Sequence, residues 1–179
     1  MLKNSTVRRM NHDDLSMVLA WRNHPDVRRF MFTQHEIALH EHQQWFAKVS
    51  QDATRCLLIV ENELEPIGFV QFNNVSVGGV ADWGFYASPT APKGSGRLLG
   101  TLSLTYAFEE LQLHKVCGQA IESNDASIGF HKSLGFAVEG ALRDQQRIQG
   151  TYHTLICFGL LAHEWRAYQI QRGNNDVKN

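Results

Sequence analysis

Residues 87–111 read ASPTAPKGSGRLLGTLSLTYAFEEL, a stretch that contains a glycine-rich loop and the helix that follows it. A strand-like segment, ADWGFYA, runs into a loop with the sequence Lys93-Gly94-Ser95-Gly96-Arg97, and an apolar-periodic helix follows at once. Glycines at such a turn let the backbone bend sharply and approach a ligand. The first helix amides lack intrahelical partners, so with the helix dipole and the two cations they predict an anion site for a phosphate or pyrophosphate. An ordinary glycine-containing turn remains the alternative, because a short Gly-x-Gly is a weak signal.

A second informative stretch, residues 124–136, reads NDASIGFHKSLGF and follows one intervening strand-like segment, HKVCGQAIE. In this order the two stretches resemble the two cofactor-side motifs of the GCN5-related N-acetyltransferases (GNAT), which use acetyl-coenzyme A. The resemblance implies that the glycine loop holds the coenzyme pyrophosphate. It also implies that the second helix lies along the pantetheine arm.

Length and composition predict one domain over residues 1–170 and a polar, disordered tail over 171–179. A chain of 179 residues with 43% hydrophobic and 20% charged residues is typical of a globular protein with one core. Its net charge of -1, without a basic run, does not indicate a nucleic-acid partner. Neither a signal peptide nor a membrane-spanning apolar run is recognisable, which predicts a cytoplasmic protein without a membrane partner.

The three cysteines, Cys56, Cys117 and Cys157, lie singly inside apolar strand-like runs. An odd, unpaired set of this kind predicts buried reduced thiols rather than disulfides, zinc ligands or a nucleophile. We therefore expect no metal site.

The periodicity of the chain predicts the element order β-α-α-β-β-β-α-β-α-β-β. The first helix should end near His24-Pro25, because a residue before proline avoids helical geometry. The segments CLLIVE, PIGFVQFNNV and VADWGFYAS predict an antiparallel meander, and the last two strands should turn at Gln149-Gly150. The resemblance implies the GNAT acyltransferase fold, of the α/β (α+β) class. That fold has a mixed central sheet of about seven strands, splayed between the fourth and fifth and flanked by about four helices.

The resemblance also implies a coenzyme site. Backbone groups of the strand before the loop would hydrogen-bond the pantetheine, and loop amides would cradle the pyrophosphate. Asn124 would cap its helix and reach the pantetheine arm, although capping alone also accounts for an Asn there. The family's usual Gln or Arg at the head of the loop is replaced by Ala91. The predicted coenzyme-binding residues are Phe85, Tyr86, Ala87, Lys93, Gly94, Ser95, Gly96, Arg97 and Asn124.

Two residues are predicted to act in catalysis. Acetyl transfer requires a neutral attacking amine and a proton source for the leaving thiolate. The resemblance aligns His131 with the family's usual general-acid Tyr, and an imidazole pKa of ~6.5 suits that task. The alternative is a helix-surface His, with water protonating the thiolate. Glu122, beside the expected splay, would accept the amine proton directly or through water, and its alternative is a solvated carboxylate.

Acceptor specificity is expected from the N-terminal third. The segments WRNHPDVRRFM and HEHQQWF, together with WGFY at 83–86, resemble one branch of the family. That branch comprises the nucleotide-sugar acetyltransferases of the pseudaminic acid pathway, which acetylate the 4-amino group of a UDP-linked amino-dideoxy sugar. Uracil needs a flat face and the diphosphate needs cations, so Trp83, Arg22 and His42 are predicted to bind the acceptor. A core Trp, a solvated Arg and a surface His are the alternatives.

Two other functions stay open. Alpha-amino acetyltransferases of ribosomal proteins share the Arg-rich N-terminal region and the Leu-Leu-x-x-Glu-Trp ending, here LLAHEW. A catalytically idle coenzyme-binding module is suggested by His131 and Ala91. A homodimer is compatible with the resemblance, but no residue specifies one.

Overall fold

The computed structural model describes residues 4–176, which form a mixed seven-stranded sheet flanked by helices. The strands are β1 Ser5–Arg9, β2 Cys56–Asn62, β3 Glu65–Asn73, β4 Val80–Ala87, β5 Lys115–Ile121, β6 Ala137–Ile148 and β7 Thr151–Leu161. The helices are α1 Leu15–Asn23, α2 Pro25–Arg28, α3 Leu39–Val49, α4 Ser95–Thr105, α5 Asp125–Ser133 and α6 Ala162–Asp176. A 3₁₀ turn, His12–Asp14, precedes α1, and a π-helical turn, Tyr106–Glu110, continues α4.

The N-terminal half of the sheet is the predicted meander. Strands β1 to β4 pair antiparallel in chain order, and the β2–β3 hairpin turns through Glu63 and Leu64, both with positive φ. Helix α4 lies close to β3 at Gly68, where an added Cβ would lie 2.9 Å from the Tyr86 carbonyl oxygen and overlap Leu99. Only a glycine therefore lets the helix after the loop approach the sheet this closely.

The sheet splays between β4 and β5, as predicted. These strands pair in parallel over only three residue pairs, from Val80–Lys115 to Asp82–Cys117. Beyond Asp82, β4 stays paired with β3 while β5 stays paired with β7, so the two strands diverge with their facing edges unpaired. The strand order β1-β2-β3-β4-β5-β7-β6 thus contains one internal opening.

Two apolar clusters cover the two faces of the sheet. The larger cluster includes Leu99 and Leu104 of α4 packed against strand residues such as Val70. The smaller cluster packs residues of α1 and α3, including Val18 and Val49, against the other face of β2 and β3. Helices therefore sandwich the N-terminal strands.

The C-terminal hairpin confirms another prediction. Strands β6 and β7 pair antiparallel around Gln149 and Gly150, whose φ values are 48° and 87°. Helix α6 was not predicted, nor was the short α2. The apolar run before Trp165 resembles the end of a strand, but Trp165 is buried and packs near Phe108. The predicted tail over 171–179 begins inside α6, and residues 177–179 lie outside the described residues.

No helix within residues 4–176 combines the length and apolar character needed to span a bilayer.

Candidate active site

The splay forms a cleft of about 800 Å³ between β4 and β5. Its walls are strands β3, β4 and β5, the first turn of α5, and segment 26–32, which lies across one side. Five predicted residues line it: Trp83, Phe85, Tyr86, Ala87 and Asn124. The glycine loop, Arg22, His42, Glu122 and His131 are not part of its lining.

The glycine loop has the features of an anion site. Gly94 precedes α4 with φ +95°, and open space surrounds the position of a Cβ there. The Ser95 and Arg97 amides donate to the Pro92 and Gly94 carbonyl oxygens, whereas the Gly94 and Gly96 amides make no hydrogen bond within residues 4–176. Lys93 and Arg97 are exposed. Free amides, two cations and the positive end of α4 fit a diphosphate.

The open edge of β4 and the start of α5 form the walls expected to contact pantetheine. Phe85, Tyr86 and Ala87 pair with β3 on one side only, so their other backbone edge faces the cleft. Asn124 caps α5, because its Oδ1 accepts the Ser127 amide at 3.1 Å. The capping role of Asn124 is confirmed, and its contact with pantetheine stays a prediction.

His131 is buried and held neutral. His131 is only 1% exposed. Burial lowers the pKa of its imidazole, and the hydrogen bond to the Ser127 carbonyl raises that pKa by a smaller amount. A carbonyl can only accept, so the 2.8 Å contact with Ser127 fixes the proton on Nδ1. Nε2 then accepts the Trp83 indole N–H at 3.1 Å. No N–H is left to point into the cleft, so the general-acid prediction has no support in this geometry, and the surface-His alternative is wrong.

Trp83 is part of the same buried unit. Trp83 is 7% exposed, and the centroid of its ring lies 4.7 Å from the ring centroid of Phe85 and 5.2 Å from that of Phe136. Gly118 of β5 makes room for the pair, since an added Cβ would lie 2.8 Å from Trp83 Nε1 and closer still to His131 Nε2. Protein rings already pack against Trp83, which favours the core alternative over a uracil platform.

Arg22 and His42 form a partly unsatisfied polar pair. Arg22 Nη2 donates to the Thr33 carbonyl at 2.7 Å, while its Nη1 is buried without a partner in the described chain. His42 is 5% exposed and stacked on Trp45 at 5.0 Å, and its Nε2 likewise lacks a partner there. Burial lowers the pKa of both groups, and the guanidinium lowers that of His42 further. His42 is therefore not a surface residue, and both groups retain hydrogen-bonding capacity.

Glu122 lies just after β5, exposed and outside the cleft lining. Its Oε1 accepts the Thr154 amide at 3.4 Å. Its predicted role as a base has no support in this geometry, which favours the solvated alternative.

The cysteines differ from one another. Cys56 is buried, and burial raises its pKa to about 11. Cys117 and Cys157 are free and only half-buried, and Cys117 lines the cleft. The prediction of buried thiols is therefore correct for Cys56 alone. Residues 4–176 bring together no group of three His, Cys, Asp or Glu side chains that would hold a metal ion.

The polar cleft residues missed from the sequence include Gln71, Asn73 and Asp82. They alternate with buried Phe72, Ala81 and Trp83 along β3 and β4. A polar residue at every second position of an inner strand was the available signal, because such a strand has one face that is not packed in a core.

A sheet that splays into a cleft beside a glycine loop is typical of one class of enzyme, and comparison with known proteins identifies that class. Residues 5–137 match the family model described as an acetyltransferase (GNAT) domain. The chain belongs to the GNAT acetyltransferase family, and it is an N-acetyltransferase that uses acetyl-coenzyme A.

Relatives include PseH acetyltransferases, spermidine acetyltransferases and, over only 35% of this chain, a putative ribosomal N-acetyltransferase of Bacillus subtilis. Acetyltransferase PseH of Campylobacter jejuni is 28% identical over 138 residues, covering 77% of this chain and 86% of the relative. Spermidine N(1)-acetyltransferase of Escherichia coli is 27% identical over 174 residues, covering 96% of this chain and 94% of the relative. The crystal structure of spermidine N-acetyltransferase from Vibrio cholerae with CoA and spermine superposes with a TM-score of 0.83 at 23% identity, over 91% of this chain and 98% of that one.

Proposed function

We propose that the protein transfers acetyl from acetyl-coenzyme A to the 4-amino group of a UDP-linked amino-dideoxy sugar, the reaction type of pseudaminic acid biosynthesis. Similarity to PseH over 77% of the chain supports this acceptor, but similarity to spermidine acetyltransferases is equally close. The choice between the two therefore depends on the cleft itself.

The charged residues of the cleft are the observation that favours an amino sugar over spermidine as the acceptor. Its charged lining residues are Asp26, Arg29 and Asp82. Asp26 lies 3.6 Å from Arg29, which leaves Asp82 as the cleft carboxylate without a cationic partner in residues 4–176. A polyamine carries several ammonium groups and is best bound by several carboxylates. An amino sugar carries only one ammonium group and needs only one carboxylate. One ion-paired carboxylate and a single unpaired one match a single ammonium group better than several, which favours the sugar.

The unfilled hydrogen-bonding capacity of Arg22 and His42 supports the same acceptor. A buried guanidinium N–H without a partner is energetically unfavourable and is satisfied by an incoming acceptor oxygen. A nucleotide diphosphate or a uracil carbonyl supplies such oxygens, and spermidine supplies only donors when protonated. Thr33 lies beside this pair through its contact with Arg22, and the pair itself lies outside the cleft lining.

Direct transfer accounts for the reaction without a covalent enzyme intermediate. The neutral amine nitrogen attacks the thioester carbonyl carbon, an N–C bond forms, the C–S bond breaks, and the coenzyme thiolate leaves. An ammonium substrate gives up one proton that ends on the thiol and another that passes to solvent. The open edge of β4 would orient the thioester between the diverging strands, and the glycine loop would hold the diphosphate at the wide end.

An endpoint assay by mass spectrometry tests the proposal. The protein is incubated with acetyl-coenzyme A in three parallel reactions that contain the UDP-4-amino-dideoxy sugar, spermidine, or a ribosomal N-terminal peptide. We expect an added acetyl group on the sugar nucleotide only. Acetylation of spermidine or peptide, with the sugar nucleotide unchanged, would overturn the proposed acceptor, and CoA binding without any acetylated product would indicate the idle module.

A further inference from the structure

The floor of the cleft on the α1 and α3 face is a polar surface built across three strands. Asn73 of β3 pairs with Asp82 of β4, and Asp82 pairs with Cys117 of β5. Directly paired residues point to the same face of a sheet, so these side chains form a row at the closed end of the splay. Gln71 and Gln119 lie two residues further along their strands, on the same face, and all five residues line the cleft. We call this set the polar floor.

Within the polar floor, Asn73 and Asp82 both have unused acceptor capacity. Asn73 Oδ1 is buried and has no hydrogen-bond partner in the described part of the chain. Asp82 accepts one hydrogen bond, 3.0 Å from Asn74 Nδ2 to its Oδ2, which orients the carboxylate. Salt bridges within residues 4–176 do not include Asp82. A buried carbonyl oxygen beside an oriented carboxylate that is open to the cleft is suited to a cationic hydrogen-bond donor.

We propose that Asp82 and Asn73 bind and position the amine of the acceptor, with Asn74 orienting the carboxylate. The inference rests on the proposed amine acetylation, but it does not depend on which molecule carries the amine. Asp82 takes the place of Glu122 as the carboxylate that faces the acceptor, since Glu122 lies outside the cleft.

The position of Asp82 along β4 agrees with this role. Asp82 belongs to the last β4–β5 pair, and Phe85 begins the segment expected to contact pantetheine three residues later. Three strand residues span about 10 Å, which leaves room for the amine and the thioester between them. An acceptor amine bound at Asp82, at the closed end of the splay, would therefore lie next to a thioester that is bound beside Phe85.

Kinetic variants test the assignment. Asp82→Asn keeps the shape and removes the charge, and we expect it to raise the KM for the amine by about three- to tenfold, because a charge-assisted contact at an exposed carboxylate is lost. Asn73→Leu should raise the same KM, and the KM for acetyl-coenzyme A should stay within about twofold in both. Asp52→Asn is the matched control, since Asp52 is exposed like Asp82 and also accepts a side-chain hydrogen bond, from Thr54, but lies in a turn outside the cleft. Glu122→Gln tests the rival carboxylate.

A second readout separates amine recognition from a structural effect. Binding is measured by calorimetry on protein saturated with CoA, with the UDP-4-amino sugar and its 4-hydroxy analogue. Wild type should prefer the amine, and Asp82→Asn should lose most of that preference while it retains the fold by circular dichroism. An unchanged preference, or a loss equal for both ligands, would overturn the assignment.

The two proposals fail in different ways. If wild type acetylates or binds only spermidine or the peptide, the sugar proposal fails and the same variants are measured on that amine. If Asp82→Asn leaves the KM and affinity for the accepted amine unchanged, the inference fails and the proposed function stands. Binding of none of the three amines to CoA-saturated wild type overturns both.

Discussion

His131 shows how two hydrogen bonds set the chemistry of a single residue. Ser127 accepts from Nδ1 and Trp83 donates to Nε2, so a protonated ring would place an N–H against the indole N–H. Two donors cannot satisfy one another, and burial adds the cost of an unsolvated charge. The residue therefore holds Trp83 at the splay as a neutral acceptor.

The neutral state of His131 predicts a pH dependence of stability. Burial lowers its folded-state pKa, so below the unfolded value of ~6.5 the unfolded chain binds a proton that the folded chain does not. The free energy of unfolding should therefore fall as the pH drops from 7.5 to 5, by at most about 1.4 kcal/mol per pH unit for this proton. His42, whose pKa is also lowered, contributes in the same direction. Urea unfolding across this pH range measures the slope.

Substitution separates this role from general-acid catalysis. His131→Gln keeps an acceptor for Trp83 and a donor for Ser127, and it should flatten the slope. His131→Phe leaves the indole N–H unpaired and should cost about 1–3 kcal/mol at pH 7.5. Exposed His40→Gln is the control and should change neither quantity. A large loss of kcat with unchanged stability in both His131 variants would instead restore the general acid.

Single-residue environments were the least predictable part of the site. The aligned position of His131 follows from the sequence, but its burial depends on Gly118 of another strand, which leaves room for the Trp83 contact. The sequence of residues 124–136 alone therefore cannot predict that His131 is buried. Asp82, by contrast, was recoverable in principle, because strand alternation and the β3–β4 pairing together place it beside Asn73.

At the scale of elements, we expect the start of α4 to bind the diphosphate of the coenzyme and not its pantetheine arm. Lys93→Gln and Arg97→Gln each remove a cation beside the free Gly94 and Gly96 amides. We expect each variant to raise the KM for acetyl-coenzyme A about three- to tenfold, because an exposed ion contact contributes roughly 1 kcal/mol. The KM for S-acetyl-pantetheine, which lacks the diphosphate, should not change.

The control for this element lies on the neighbouring helix. Lys132→Gln removes an exposed cation from the last turn of α5 and should leave both KM values unchanged. Equal increases for the full and truncated thioesters in the Lys93 and Arg97 variants would show that the loop does not contact the diphosphate.

Elements with local signals were predicted well. Helix α1 ends at Asn23 before His24-Pro25, and the β6–β7 hairpin turns at Gln149-Gly150, because proline and positive-φ positions act locally. Helix α6 was missed for the opposite reason. Its first residues, AHEW, follow the apolar β7 without a glycine or proline between them, and Trp165 is buried near Phe108 and Tyr168.

At the scale of the whole molecule, the seven-strand sheet consists of two paired sets joined by a short parallel ladder. Strands β1 to β4 form one set and β5, β7 and β6 the other, with three residue pairs between them. Periodicity predicted the strands but not this opening, which came from the family resemblance carried by the glycine loop and the Asn124 helix. The reason is physical: the splay depends on which strands pair, and pairing between distant segments has no local signature.

A ligand that bridges the two sets of strands should stabilise the molecule as a whole. Saturation with CoA at about a hundred times its Kd would add roughly 2.7 kcal/mol to the free energy of unfolding, which corresponds to about 5–10 °C in Tm. At short hydrogen-exchange times, protection should increase for the β4 amides over 83–87 that face the splay, because pantetheine would occupy that unpaired edge. Amides of β1, at the far edge of the sheet, serve as the internal control and should exchange at unchanged rates. A rise in Tm without added protection at 83–87 would place the coenzyme elsewhere and remove the splay from the binding site.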